Sequence, residues 1–247
     1  MRPEFDGAAV EFIRHVTVVL PAHNEAATLG RSLRSIDEAL SGLPTGVTGS
    51  CVVVLDRCRD DSANVVTDSM RHLRSTPRVV STEVGRAGAA RDLGTRTALE
   101  GRQDLHTVWL ANTDSDTVVP ANWLRVQLDL ANRGADAIAG IVQLDVDSDQ
   151  RLRRAFRASY AVGRDGTHGH VHGANLGVRA DVLMAVGGWR HLPTGEDHDL
   201  WSRLRPSGTC VSSTEIVVRT SGRLVGRAPR GFAADLAAIA DAGLTVA

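Results

Sequence analysis

Short, continuous apolar runs rich in β-branched residues alternate with amphipathic segments in the first half of the chain. Val16–Leu20 and Cys51–Leu55 are two such runs, and an uninterrupted apolar run is typical of a strand buried on both faces. Shorter runs at Val79–Val80 and Thr107–Leu110 predict a third and a fourth strand. Apolar residues at helical spacing lie between the runs. This alternation favours right-handed crossovers and a mostly parallel sheet with helices on both faces.

The second half of the chain continues without a linker rich in proline or serine. A longer strand is predicted over Ala137–Leu144 and an amphipathic helix over Gln150–Tyr160. We therefore expect one α/β domain at residues 16–247, preceded by an N-terminal extension at residues 1–15.

Charge and cysteine content indicate the setting in which the protein works. All 28 basic residues are arginine, and 29 acidic residues bring the formal net charge to -1. A non-specific nucleic-acid binder would be strongly basic, so that class is excluded. Three cysteines without metal-ligand spacing are typical of a reducing compartment. With no apolar run of signal-peptide or membrane-span length, the sequence predicts a cytoplasmic protein.

Two aspartates follow the predicted fourth strand, at the edge where parallel sheets bind ligands. Asp114 and Asp116 are two residues apart, and paired carboxylates can chelate a hard divalent cation that in turn binds phosphate oxygens. The alternative is a solvated turn before Pro120. Polar groups at the other strand ends favour the metal site.

Two further strand ends carry groups that could hold a nucleotide. Asp56 ends the second strand, where its carboxylate could accept a hydrogen bond from a nucleobase; a turn-forming aspartate is the alternative. Arg91 follows the small-residue turn Gly85–Ala90. Its guanidinium could hold a phosphate or a base oxygen there, or form a salt bridge on a helix surface.

An acidic segment, Gly195–Asp199, opens a predicted helix that ends near Arg205. The helix dipole favours acidic residues in the first turn, so stabilisation of the N-terminus is one interpretation. Four acidic or imidazole groups in a row exceed what capping needs. A carboxylate in this segment could therefore act as a general base.

Two basic or imidazole-bearing segments allow more than one interpretation. His168, His170 and His172 alternate along the chain, so they would face one side of an extended segment. A role for His172 in an acceptor loop is favoured over a transition-metal site. The arginines of the helix Gln150–Tyr160 predict a solvated face; an anionic acceptor or a membrane surface is the alternative.

Five motifs in this order resemble those of the family 2 glycosyltransferases, which have the GT-A fold. In chain order they are similar to the family's first-strand signature, second nucleotide-binding loop, Asp-x-Asp metal motif, acceptor-side segment and catalytic Glu-Asp pair. The matching residues are Val18–Glu25, Val54–Ser62, Asp114–Asp116, His172–Arg179 with Gly187–Trp189, and Glu196–Asp197. The resemblance covers about Val16 to Leu204, and the motifs are specific jointly rather than singly.

The resemblance implies a Rossmann-like domain with a nucleotide-binding half at residues 16–120 and an acceptor-binding half at residues 121–247. Its implied activity is metal-dependent transfer of a sugar from a nucleoside diphosphate sugar to a hydroxyl acceptor, with Mg²⁺ or Mn²⁺ as cofactor. On the donor side, the implied contacts are Pro21, Ala22 and Glu25 beside the nucleoside, Asp56 and Arg91 at the base, and Asp114 and Asp116 at the ribose and the metal.

On the acceptor side, the resemblance implies that Asp197, next to Glu196, deprotonates the acceptor hydroxyl and so inverts the anomeric carbon. It also implies contacts to the acceptor or the donor sugar from four residues of the acceptor-side segment: His172, Gly173, Asn175 and Trp189. Many GT-A enzymes take a further metal ligand from a histidine near the C-terminus, whereas no histidine follows His198 here. Arg223 lies in this region instead and could stabilise the departing diphosphate, or belong to a solvated basic strand.

Three alternatives remain open from the sequence. A retaining glycosyltransferase would not use Asp197 as the base. A nucleotidyltransferase on a similar fold is disfavoured because the loop Pro21–Glu25 lacks glycine. A non-catalytic nucleotide-sugar-binding module is disfavoured because a binding protein needs no base.

Overall fold

A computed structural model describes residues 12–226 and 231–244, which contain one sheet of eight strands with helices on both faces. The strands are β1 (His15–Ala22), β2 (Thr48–Asp56), β3 (Arg78–Thr82), β4 (Val108–Asn112), β5 (Thr117–Val118), β6 (Ala137–Leu144), β7 (Leu176–Arg179) and β8 (Cys210–Thr220). The helices are α1 (Leu29–Ser41), α2 (Ser62–Met70), α3 (Ala87–Leu99), α4 (Trp123–Ala131), α5 (Gln150–Ser159), α6 (Ala180–Ala185), α7 (Glu196–Leu204) and α8 (Phe232–Leu244).

The strand order is β3-β2-β1-β4-β7-β6-β8-β5. Strands β1 to β4 pair in parallel, and so do β6 and β8. β7 is antiparallel to β4 and to β6, and β5 is antiparallel to β8. The predicted mostly parallel α/β sheet is therefore confirmed.

Strand β2 shows why the continuous apolar runs identified buried strands. Val53 and Leu55 belong to the core on the side of α1, α2 and α4. Val52 and Val54 point to the opposite face, where they pack against Ala90 of α3. Because successive side chains of a strand point to opposite faces, a strand covered by helices on both sides needs an apolar residue at every position.

The strands predicted in the first half are all present, and β1 begins at His15, one residue before the predicted boundary. Most of the predicted N-terminal extension, residues 1–11, lies outside the described residues. The sequence does not predict the strands β5, β7 and β8. Gly177 interrupts the apolar pattern of β7, because a Cβ there would lie 2.3 Å from the Gln127 side chain. None of the helices in the described parts of the chain is long and apolar enough to cross a bilayer.

Candidate functional site

A buried arginine lies at the centre of the candidate site, at the carboxyl ends of β1, β2 and β4. Arg91, in the first turns of α3, is 3% exposed. Its Nη2 donates to Oδ1 of Asp114 at 2.6 Å, and its Nη1 donates to Oε1 of Glu196. Asp114 follows β4 and Glu196 begins α7. One guanidinium therefore joins the two acidic motifs, which are far apart in the sequence.

Glycines and a tryptophan make room for this arginine and support it. A Cβ on Gly173 would lie 2.3 Å from Arg91 Nη2, and a Cβ on Gly88 would lie 2.1 Å from the carbonyl oxygen of Arg190. The guanidinium carbon of Arg91 lies 5.2 Å from the ring centroid of Trp189, within cation–π range. The small residues at the start of α3 are thus explained by close packing against the segment that leads into α7.

Asp116 binds a second arginine. The Asp116 side chain is largely buried and accepts a hydrogen bond from the Thr220 hydroxyl at 3.2 Å. Arg223 places Nη2 3.0 Å from Oδ2 of Asp116 and Nη1 2.7 Å from Oε1 of Glu25. Burial raises the pKa of Asp116, and Arg223 opposes that rise. The guanidinium of Arg223 therefore lies between two buried carboxylates.

The carboxylates at the end of β4 fit a metal that is held mainly by its substrate. Within residues 12–226 and 231–244, no group of three or more histidine, cysteine, aspartate or glutamate side chains could hold a metal ion. Mg²⁺ is commonly held by one or two carboxylates together with phosphate oxygens and water. Asp114 and Asp116 supply such a pair, so they fit an ion that a diphosphate brings with it.

Asp197 lies in the first turn of α7, after Gly195 in a left-handed conformation (φ 73°). Its Oδ2 accepts the Gly173 amide hydrogen at 2.9 Å, and its Oδ1 accepts that of His198 at 2.8 Å. These two hydrogen bonds fix the orientation of the carboxylate. Burial raises the pKa of Asp114, Arg91 lowers it, and the neighbouring Asp116 and Asp197 raise it further. The aspartates of the two motifs are therefore close enough to interact.

On the predicted nucleoside side, Asp56 organises a turn. It is 4% exposed, and its two oxygens accept the amide hydrogens of Gly85 and Arg86 at 2.7 and 2.9 Å. The turn-forming interpretation thus describes its contacts in this structure, and contact with a base stays a prediction. Pro21 and Ala22 end β1, and the buried Glu25 follows in the next loop.

Three histidine rings form a stack beside α7. The ring centroids of His168 and His170 are 6.0 Å apart, and those of His170 and His172 are 6.3 Å apart. The three side chains therefore face one side, as their spacing predicts. Burial lowers the pKa of His172 to about 4, so this ring is neutral at pH 7. Its Nε2 is buried and has no hydrogen-bond partner among the residues that the structure describes.

Asn175 contacts the sheet in this structure, and its predicted sugar contact stays a prediction. Asn175 is 1% exposed, its amide nitrogen donates to the carbonyl oxygens of Ile141 and Ile216, and its oxygen accepts from Trp123 Nε1. The register between β6 and β8 shifts beyond Gly140, and these carbonyls need a donor where the regular ladder is interrupted. Asn175 therefore stabilises the sheet.

Trp189 is 3% exposed, packs in the core beneath α7 and supports Arg91. Its predicted contact with a sugar or the acceptor stays a prediction. Sequence analysis also missed Thr220, which binds Asp116. The β-branched run Ile216–Val218 just before it is the signal that would have identified β8.

The strand order and the acidic groups at the sheet edge are similar to those of the GT-A glycosyltransferases. The family model described as "Glycosyl transferase family 2" matches residues 17–187. The chain belongs to this family. A search of curated protein sequences gives no significant match.

Solved structures show the same fold at low sequence identity. S. aureus TarS 1–349 in complex with UDP-GlcNAc has a TM-score of 0.63 at 12% identity, over 87% of this chain and 60% of that one. The mannosyltransferase PcManGT from Pyrobaculum calidifontis, in complex with GDP-Man and Mn²⁺, has a TM-score of 0.60 at 17% identity, over 88% of this chain and 59% of that one. This chain therefore matches about three fifths of the length of either.

Proposed function

We propose that this protein transfers a sugar from a nucleoside diphosphate sugar to a hydroxyl acceptor, with inversion and with help from Mg²⁺ or Mn²⁺. The observation that carries the proposal is the guanidinium of Arg91, which binds both Asp114 of the acidic pair and Glu196, the chain neighbour of Asp197. Family membership supports the reaction class. The complexes of TarS with UDP-GlcNAc and of PcManGT with GDP-Man and Mn²⁺ support the donor class.

The donor lies at the carboxyl ends of β1, β2 and β4 in this proposal. Pro21, Ala22 and Glu25 border the nucleoside, and Asp56 holds the turn against which the base lies. Asp114 and Asp116 would hold Mg²⁺ or Mn²⁺, which would supply positive charge to the leaving diphosphate.

Asp197 takes the proton of the acceptor hydroxyl on the side of the sugar opposite the diphosphate. The amide hydrogens of Gly173 and His198 keep one lone pair of each carboxylate oxygen occupied and aim the carboxylate. Attack by the deprotonated oxygen breaks the bond between the anomeric carbon and the diphosphate. Arg223 stabilises the charge of that diphosphate.

The free cysteines Cys51, Cys58 and Cys210 support a reducing, cytoplasmic setting.

Donor binding is expected to depend on metal through Asp116. A nucleoside diphosphate at about 100 times its Kd, added with Mn²⁺, should stabilise the protein by about 2.7 kcal/mol. For a domain of this size that is a rise in Tm of about 5–10 °C. Asp116→Ala should abolish the part of the rise that requires Mn²⁺, because it removes a ligand of the ion. A thermal-shift series with UDP and GDP, each with and without Mn²⁺, measures this.

The matched control is Asp129→Ala, since Asp129 is an exposed aspartate on α4. The control should keep the full metal-dependent rise. If Asp116→Ala keeps it as well, Asp114–Asp116 is only a turn.

A further inference from the structure

An open cavity of about 660 Å³ lies beside α7, away from the predicted donor site. One wall is α7, with His198, Trp201 and Arg205. The opposite walls are the histidine segment, with His168, and the beginning of β8, with Ser212. A cavity of this volume is within the range that holds a small organic ligand.

The polar groups of this cavity are cationic, imidazole or hydroxyl groups. None of its lining residues is an aspartate or a glutamate. Arg205 follows α7, is exposed, and makes no side-chain hydrogen bond or ion pair with any of the described residues. Burial and the nearby Asp136 carboxylate raise the pKa of the Cys210 thiol in the wall. Asp136 is itself paired with Arg179, whose Nη1 lies 2.6 Å from Oδ1 of Asp136. Within the lining itself, an oxyanion would therefore meet an available guanidinium and no carboxylate.

Asp197 is not itself among the lining residues, but it adjoins two of the cavity's walls. His198 follows Asp197 directly on α7, and the histidine segment that lines the cavity continues to Gly173, whose amide binds Asp197. Arg205 lies eight positions after Asp197, which is about 12 Å along a helix. The Arg205 side chain can shorten this span by several ångströms. A ligand with a hydroxyl at Asp197 and an anionic group at Arg205 is thus about the size of a sugar phosphate.

We propose that the cavity binds the acceptor, and that this acceptor carries a phosphate or carboxylate group which pairs with Arg205. The inference rests on the proposed function for the role of Asp197. Trp201 and Val171 supply the apolar surface for the carbon skeleton. Ser202 donates its hydroxyl hydrogen to the carbonyl oxygen of Asp199, so its oxygen can still accept from the ligand; Ser212 accepts from the His168 amide, so its hydroxyl hydrogen can still be donated.

The test measures binding of glucose 6-phosphate, glucuronate and glucose to the full chain by calorimetry, with and without UDP or GDP and Mn²⁺. The anionic sugars should bind at least about tenfold more tightly than glucose, because hydrogen bonds to charged groups are the stronger ones. Arg205→Gln should weaken their binding about tenfold or more and leave glucose unchanged. Arg125→Gln, which changes an exposed arginine on α4, should change neither. The ratio of the affinities for glucose 6-phosphate and glucuronate shows whether the cavity prefers a phosphate or a carboxylate.

Equal binding of glucose and its anionic relatives would overturn the proposal. So would a lack of binding by both anionic sugars, or anionic binding that survives Arg205→Gln. The nucleoside diphosphate arm is separate, because it tests the donor site. If the diphosphates fail to bind while the Arg205 dependence holds, the proposed function fails and the anion-binding cavity remains.

Discussion

Asp197→Asn is expected to lower kcat by about 10²–10⁴-fold, the range that a positioned general base supplies. The amide keeps the shape of the side chain but removes its basicity. Donor affinity should stay close to that of the parent, because Asp197 lies on the acceptor side. Turnover with a nucleotide sugar, together with the thermal shift given by the nucleoside diphosphate, separates the two effects.

Asp199→Asn is the matched control, since Asp199 lies in the same turn of α7 and pairs with Arg203 and Arg190. It should change turnover little. The anomeric configuration of the product, read by NMR, gives a second measurement, because a single displacement assisted by one base inverts the centre. A retained configuration, or parental turnover in Asp197→Asn, would remove Asp197 from this role.

Arg91→Met is expected to lower the free energy of unfolding by about 3 kcal/mol. Loss of one partner from a buried ion pair typically costs about 3–5 kcal/mol, because the remaining charge is left buried. We expect a value at the lower end of this range, because the Asp114 side chain is 37% exposed and water can solvate its charge once Arg91 is removed. The Glu196 side chain is only 12% exposed, so water solvates its charge less. Urea denaturation followed by circular dichroism measures the change.

Arg96→Met on the same helix is the control for this substitution. Arg96 is 72% exposed and pairs with Asp92 on the surface, where an ion pair contributes at most about 1 kcal/mol. A loss below about 1 kcal/mol in Arg91→Met, equal to that of the control, would show that the buried network does not stabilise the fold.

The first half of the fold could be predicted from the sequence because its strands are buried on both faces. The runs Val16–Leu20 and Cys51–Leu55 are apolar at every position for that reason. The strand β7 could not be predicted in this way, because Gly177 is required by the side chains of Trp109 and Gln127 packed against it. That requirement comes from residues that are distant in the sequence.

The candidate site, too, could be predicted only in part from the sequence. Asp114, Asp116 and Asp197 could be identified from local motifs. What each contacts depends on folding: the pairing of Arg91 with Glu196 joins residues 105 positions apart. Asn175 matched a motif but serves the sheet, because the β6–β8 irregularity that needs its amide has no local signature.

Under the proposed function, the position of Arg223 would make metal binding an exchange of one cation for another. Asp116 and Glu25 are both already paired with this guanidinium, so an ion that binds Asp116 would have to compete with it. Free metal should therefore bind weakly. A diphosphate changes the balance, because it offers Arg223 a new anionic partner while it supplies oxygen ligands to the ion. Under the proposed function, metal and donor should thus bind cooperatively, each raising the affinity for the other by the same factor.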